Sequence, residues 1–221
     1  MVSTGDGKVL GRPRDPKIDA AVLETAAEIL DAEGYAGFSI QAVIDRAGVT
    51  RPAIYRRWPT RQDLVIAALE RKLDTPVAVD SGCTRCDLIG AVRLFTTAFR
   101  RSLPPRTLAP LIADCAEEPR LYTHAMNALV RPLRDATREI LFRAAARDDL
   151  RTDTNGELIL DLLSSIVYYR GLFGHARVDT RSVEEMVDTL LQGIARDYDE
   201  LLEASLRHGH GDHWTTVDDL S

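Results

Sequence analysis

From Pro16 onward, apolar residues recur three and four positions apart, and no stretch alternates convincingly with the period of two that a half-buried strand requires. This pattern points to an all-α fold. At 221 residues the chain has room for one large domain, or for a small domain joined to a larger one. In residues 16–33, Ile18, Val22, Ala26, Ile29 and Leu30 share one helical face, with Asp15 as cap, Pro16 in the first turn and Gly34 as terminator. Ser39 caps a short helix that turns Ile40, Val43 and Ile44 inward and stops at Ala47-Gly48. Thr50 caps another, over 51–58, which tolerates Pro52 in its first turn and is broken by Pro59. Thr60, Arg61, Gln62 and Asp63 have the character of a capping box and open a fourth helix carrying Leu64, Ala67, Ala68 and Leu73.

Residues 74–85 read as a linker. Beyond them five helices are predicted, near 86–102, 106–117, 119–148, 156–174 and 180–205, divided by turn signals such as Pro104-Pro105 and Asn155-Gly156. The resulting plan is a basic flexible arm (1–14), a three-helix helix-turn-helix head with its connecting helix (15–74), a larger helical domain (75–206) and a flexible tail (207–221). Residues 157–173 are apolar nearly all round, which predicts a helix buried on more than one side. In 180–202, Val183, Met186, Val187, Leu190, Leu191, Ile194, Tyr198 and Leu201 form a wide apolar stripe. A domain of this size has little left to cover both helices, so a homodimer is expected, with Leu163, Val167, Val187, Leu190, Leu191 and Ile194 at a two-fold interface.

Several function classes recede on composition. No run approaches the ~18 apolar residues of a membrane helix, and MVSTGDGKVLGRPRD lacks the apolar centre of a secretory signal. No membrane partner and a cytoplasmic location are therefore expected. Cys83 and Cys86 make a lone C-x-x-C with no second pair to complete a zinc site, so they read as linker thiols, with Cys115 buried in an apolar run. The tail histidines His208, His210 and His213 read as incidental, and neither a metal nor a cofactor is expected. An enzyme in the helical domain is the weaker alternative, because no Gly-rich phosphate loop, H-E-x-x-H or nucleophile motif is present.

The formal charge of −6 hides an asymmetry. Residues 1–74 hold 11 basic and 11 acidic side chains, whereas residues 75–221 hold 17 and 23. Within the first part the basic residues cluster: Lys8, Arg12, Arg14 and Lys17 in one arm, and Arg46, Arg51, Arg56, Arg57 and Arg61 in one short stretch. A basic patch on an acidic chain suggests a polyanion met on one face only. On a helix over 51–58, Ile54 and Trp58 share one face and Pro52 and Arg56 lie opposite, with Tyr55 and Ala53 on the flanks and Arg51 and Arg57 nearer the core. Arginine can take guanine bidentately or grip phosphate, and a tyrosine hydroxyl reaches phosphate oxygens. A short helix, a glycine turn and a second helix with such an outer face make a helix-turn-helix, whose second helix would enter the major groove of double-stranded DNA.

The stretch FSIQAVIDRAGVTRPAIYRRWPTRQDLVIAAL resembles the DNA-binding signature of the TetR (tetracycline-repressor-like) family of bacterial regulators. The likeness lies in a Ser-started helix, the A-G-V-T turn, the I-Y helix ending in an aromatic, and the R-x-D-L helix start; GRPRD resembles the basic arm of many members. Motif-level resemblance covers residues 11 to about 70. It implies that Arg51, Pro52, Ala53, Tyr55, Arg56 and Arg57 are recognition-helix contacts, that Ser39, Gln41 and Arg61 touch backbone phosphates, and that Arg12 and Arg14 reach the minor groove. The chain departs from the family pattern at Ile44, where alanine is usual, at Trp58 in place of Phe, and in the more basic Arg56-Arg57 pair. Ile44 implies a slightly wider separation of the two helices.

The resemblance further implies that a small molecule binds the acidic domain and changes the spacing of two DNA-reading heads, releasing a repressor from its operator. Candidate pocket residues are Phe95, Phe99, Leu111, Cys115, Tyr122, Met126, Tyr168, Tyr169 and Phe173, a mixture that suggests an apolar or aromatic ligand. The other reading within DNA binding is an architectural protein with little ligand response, held to DNA mainly through salt-sensitive phosphate contacts.

Overall fold

The computed structural model describes residues 16–73 and 76–208. Arg12, Arg14, Asp15, His210 and His213, expected as arm, cap and tail residues, lie outside that range. Among the described residues the chain forms helices and no strand; the only strand-like pairing is an isolated antiparallel bridge between Leu150 and Ala195.

The head comprises α1 (Pro16–Gly37), α2 (Ile40–Ala47), α3 (Arg51–Tyr55) and the connecting α4 (Arg61–Lys72). Gly34 sits at φ 68° and interrupts α1, so the predicted terminator is in place although the helical path resumes to Gly37. Ser39 caps α2 by accepting the Ala42 N–H, and Gly48 closes it in the left-handed conformation that glycine adopts without strain. Thr60 and Asp63 form both halves of a capping box at the start of α4. Val22, Ile29, Leu30, Val43, Ile54, Leu64 and Leu69 fill the centre of the head.

The larger domain begins with α5 (Thr84–Thr97), which runs into a π-helical turn at Ala98–Ser102, followed by α6 (Pro105–Cys115). The predicted single helix over 119–148 is instead α7 (Pro119–Ala125), a π-helical turn (Met126–Val130) and α8 (Arg131–Ala146). Pro132 explains the break in register: it has no N–H for the helical ladder, and its ring would crowd the carbonyl four residues back. α9 (Gly156–Phe173) follows as expected. The predicted helix over 180–205 divides into α10 (Thr180–Ile194) and α11 (Tyr198–Arg207), because Ala195 is extended and Asp197 caps a new helix through the Glu200 N–H. The Leu150–Ala195 bridge pins that break, with the Arg151 N–H donating to the Ile194 carbonyl at 2.8 Å.

The expected dimer residues divide by burial. Leu163, Val167, Val187 and Leu191 are 0–2% exposed inside their own chain, where α9 and α10 complete the core around α5. They are not available to a partner. Leu190 and Ile194 are half-buried. The apolar surface left uncovered includes the opposite side of α9, at Leu158, Leu162, Tyr169, Leu172 and Phe173, with single exposed side chains elsewhere such as Phe142 on α8 and Leu206 on α11. Apolar patterning foresaw the surplus but could not tell which face the chain itself would cover.

Candidate DNA-reading surface and its connection to the larger domain

Ile54 is 1% exposed and plugs α3 into the head, while Trp58 packs beside it half-buried. With that side fixed, Arg51, Pro52, Tyr55 and Arg56 are exposed and Ala53 is partly so. The helix is shorter than the predicted 51–58. It ends at Tyr55, and the N–H groups of Arg57 and Trp58 both turn back to the Ile54 carbonyl ahead of Pro59. Ser39 and Gln41 are exposed at the start of α2; Gln41 donates to Asp45 at 2.8 Å and accepts from Arg51 at 2.5 Å. That link holds the first residue of α3 against the first turn of α2, so both helices present their polar starts on one surface.

Two of the expected contacts, Arg57 and Arg61, are committed to backbone carbonyls of the head. Arg57 forms an ion pair with Asp19 of α1 and donates to the Ala53 carbonyl, with only 11% of its side chain exposed. Its guanidinium satisfies an unpaired carbonyl at the end of α3 and ties that helix to α1. Arg61 donates to the carbonyls of Phe38 and Tyr35 and lies 3.9 Å above the Tyr35 ring. A planar guanidinium suits that combination of stacking and forked donation. Both side chains are thus structural links within the head rather than free donors for phosphate.

Behind the head, α4 is joined to the larger domain at both ends. Near its start, Asp63 is 4% exposed and receives both arms of Arg120 at 2.9 and 3.0 Å, with His124 Nδ1 at 3.3 Å. Burial pushes the Asp63 carboxyl up, but the hydrogen bonds from Arg120, Thr60 and His124 outweigh it and hold the group below the usual carboxylate range. Asp114 of α6 gathers Tyr35, Gln62 and Arg61 from the head. Burial and the bond to Asp114 both raise the Tyr35 phenol, which therefore stays a neutral donor. At the other end of α4, the Ser102 hydroxyl donates to the Lys72 carbonyl at 3.0 Å. The sequence revealed Asp63 only as a cap; no local signal reports a partner 57 residues away.

A cavity of about 640 Å³ opens between α5, α9 and the start of α10. Phe99, Val167, Val178 and Val183 give it apolar walls, Arg93, Arg100 and Arg177 bring three guanidinium-bearing side chains to its lining, and Asp179 brings one carboxylate. Of the nine expected pocket residues, Phe99 alone lines it. Phe95, Leu111 and Cys115 are core, Met126 and Tyr168 are half-buried, and Tyr122, Tyr169 and Phe173 face outward. Tyr168 meets Phe99 edge-on at 5.2 Å between centroids. Gly171 is required here, since a methyl group on it would lie 2.1 Å from the Phe99 ring. The π-helical turn that carries Phe99 and Arg100 also carries Ser102, so cavity wall and α4 anchor belong to one short segment.

Comparison with known proteins agrees with this architecture. Residues 22–68 match the family described as bacterial regulatory proteins, tetR family, and residues 78–190 match the tetracyclin repressor-like C-terminal domain. The DNA-binding transcriptional repressor TetR of Mycobacteroides abscessus is 27% identical over 179 residues, spanning 80% of this chain and 93% of its own. The crystal structure of the TetR family transcription regulator SCO0332 is 28% identical and superposes with a TM-score of 0.66, covering 80% of this chain and 98% of that one. A TetR transcriptional regulator from Agrobacterium tumefaciens shares the fold at a TM-score of 0.64 and 16% identity, over 85% and 99% of the two chains. With a helix-turn-helix head, a separate helical domain and both halves matched in order, the chain belongs to the TetR family of DNA-binding transcriptional regulators.

Proposed function

We propose that this protein is a homodimeric repressor that reads an operator through Arg51, Tyr55 and Arg56 of α3 and is released by a small acidic effector. The observation that carries the DNA-reading part is a division of labour among the basic residues. Arg57 and Arg61 are spent on the head's own carbonyls and on Asp19, while Arg56 and Tyr55 project from a helix whose opposite side is locked by Ile54. Phosphate positioning then falls to Ser39 and Gln41 at the start of α2. Dimerisation is supported by the exposed apolar side of α9, where Leu158, Leu162, Tyr169 and Leu172 follow one another at helical spacing.

The effector reading rests on the cavity. Its volume falls within the range of about 300–1,000 Å³ usual for small-molecule sites. Apolar and aromatic walls with three arginines against one carboxylate, Asp179, which is engaged by the Ser182 N–H, fit an apolar or aromatic body that bears a carboxylate, a narrower class than composition alone suggested. Such a ligand would act by displacing the π-helical turn at Phe99 and Arg100, which pulls on the Lys72 carbonyl through Ser102 and so reorients α4 and the head. A release mechanism of this kind needs the ligand to favour a dimer spacing that fits the operator less well. The test is a set of aromatic carboxylates compared with their primary amides by calorimetry. The acids are expected to bind at least about tenfold more tightly, as one charge-assisted hydrogen bond would give, and to weaken DNA binding. Equal binding of acids and amides, or tighter binding of the amides, would rule out the acidic class.

A further inference from the structure

The C-x-x-C that reads as a pair of linker thiols occupies a built site. Gly82 turns the chain at φ 77°, and the Ser81 N–H and hydroxyl both donate to buried Asp87, at 2.9 and 2.7 Å. The Ser81 hydroxyl in turn accepts the Cys83 N–H at 3.3 Å. This knot places Cys83 as the N-cap of α5, with its sulfur accepting the Cys86 N–H at 3.3 Å. Cys86 Sγ lies 3.6 Å from the Ser205 hydroxyl of α11. The residues between them are pinned: Thr84 is bonded to Asp149 and Arg147, and Arg85 to Asp188 and Ser205. Cys83 is buried, whereas Cys86 is half-buried.

Cys83 Sγ lies 3.3 Å from the backbone nitrogen of Cys86, over the turn that a disulfide between them would span. Side chains three apart on a helix are about 5–6 Å apart at Cβ, and a disulfide needs about 3.5–4.5 Å. The extended backbone of Cys83, φ −118° and ψ 110°, aims its sulfur over the first turn and narrows that gap. The pairing with Cys83 lowers the Cys86 thiol against the opposing effect of burial, and the same pairing raises Cys83. The less buried of the two cysteines is thus the better thiolate, and its partner keeps the proton. Cys115 has neither advantage: it is fully buried, and burial raises its thiol.

We propose that Cys83 and Cys86 are a reversible oxidation site for hydroperoxides, with Cys86 as the attacking sulfur and Cys83 as the resolving one. The Cys86 thiolate attacks the terminal oxygen of the hydroperoxide, the O–O bond breaks, and an alcohol leaves after taking up a proton. The Cys86 sulfenic acid that results is attacked by Cys83, which forms the S–S bond and expels water as the Cys83 proton and the hydroxyl depart. In sum, two thiols and one hydroperoxide give one disulfide, one alcohol (water, when the oxidant is hydrogen peroxide) and one water; the two electrons pass from sulfur to the peroxide oxygen. A dithiol reductant reverses the step.

The experiment treats the full-length protein with one equivalent of hydrogen peroxide at pH 7, then alkylates it and digests it with trypsin. Arg85 lies between the two cysteines, so cleavage separates them unless a disulfide holds the fragments together. The expected result is a linked pair of peptides, two hydrogens lighter than the sum of the reduced pair and separated by dithiothreitol, with Cys115 still alkylated. In C86S the remaining thiols should react at least about tenfold more slowly than wild type; in C83S oxidation should proceed at Cys86 but stop at the sulfenic acid or its over-oxidised forms. Recovery of unlinked, fully alkylated peptides from wild type, or preferential oxidation of Cys115, overturns the proposal. So does a C86S protein that consumes peroxide at the wild-type rate.

Discussion

Tyr55→Ala and Arg56→Ala should each lower operator affinity at least about 30-fold while leaving a folded dimer. Both side chains are exposed and neither contributes to the core, which Ile54 anchors from the other side of α3. A good arginine contact to a base edge is worth about 1–3 kcal/mol, and the phenol of Tyr55 is assigned a contact of the same order. A two-fold dimer makes each contact twice, so losing both copies costs about 2–6 kcal/mol. Fluorescence anisotropy on the operator, with circular dichroism and sedimentation as controls, measures the effect. Dimeric, helical variants that bind as wild type does would remove α3 from the reading surface. Arg57→Ala and Arg61→Ala supply the contrast, because their first loss is the internal links to Asp19, Tyr35 and Phe38, expressed in the stability of the head.

Placing a carboxylate at Leu162 or Tyr169 should convert the dimer to monomer at micromolar concentration. Leu162 is 43% and Tyr169 59% exposed in the single chain, so Leu162→Glu and Tyr169→Glu put their charge on the surface of the monomer and need not disturb its core. In a two-fold interface each charge is buried without a partner and is brought near its own copy. The effective penalty for an unpaired buried ion is several kcal/mol, enough to raise the dimer dissociation constant by at least about 100-fold. Sedimentation velocity reads the outcome directly. Dimers that persist in both variants would move the interface elsewhere. Val187→Glu behaves differently on this account: Val187 is fully buried in its own chain, and the substitution should unfold the domain rather than split a dimer.

What was legible in the sequence follows the range of the interaction responsible. Several local devices were readable: Ser39 as the cap of α2, Gly48 as the left-handed stop, and Thr60 with Asp63 as a capping box are decided within four residues, although Thr50 stands at the start of α3 without a side-chain capping bond and the caps Cys83, Asp179 and Asp197 were not read. The exposure of Tyr55 and Arg56 was likewise fixed by helical phase once Ile54 was assigned to the core. Long-range pairings were not readable. Arg57 and Arg61 looked like two more members of a basic patch, and only the fold brings Asp19 and the carbonyls at the end of α1 within their reach. The cavity lining was not readable for a related reason: an aromatic on a helix can face core, cavity or partner, and periodicity does not distinguish them. Phe99 lines the cavity because the π-helical turn shifts its phase and Gly171 makes room for its ring. The break between α10 and α11 was hidden by Ile194, Tyr198 and Leu201, whose spacing continues across it.

The central claim, a dimer whose paired heads read a specific site, is tested most directly by footprinting the purified protein on DNA selected from a random pool for binding to it. The account predicts a protected site with two similar half-sites related by two-fold symmetry, their centres spaced by about one helical turn or a multiple of it so that both α3 helices enter the major groove on one face. Protection without a common sequence, with affinity governed by salt alone, would contradict it and return the protein to the class of architectural DNA binders.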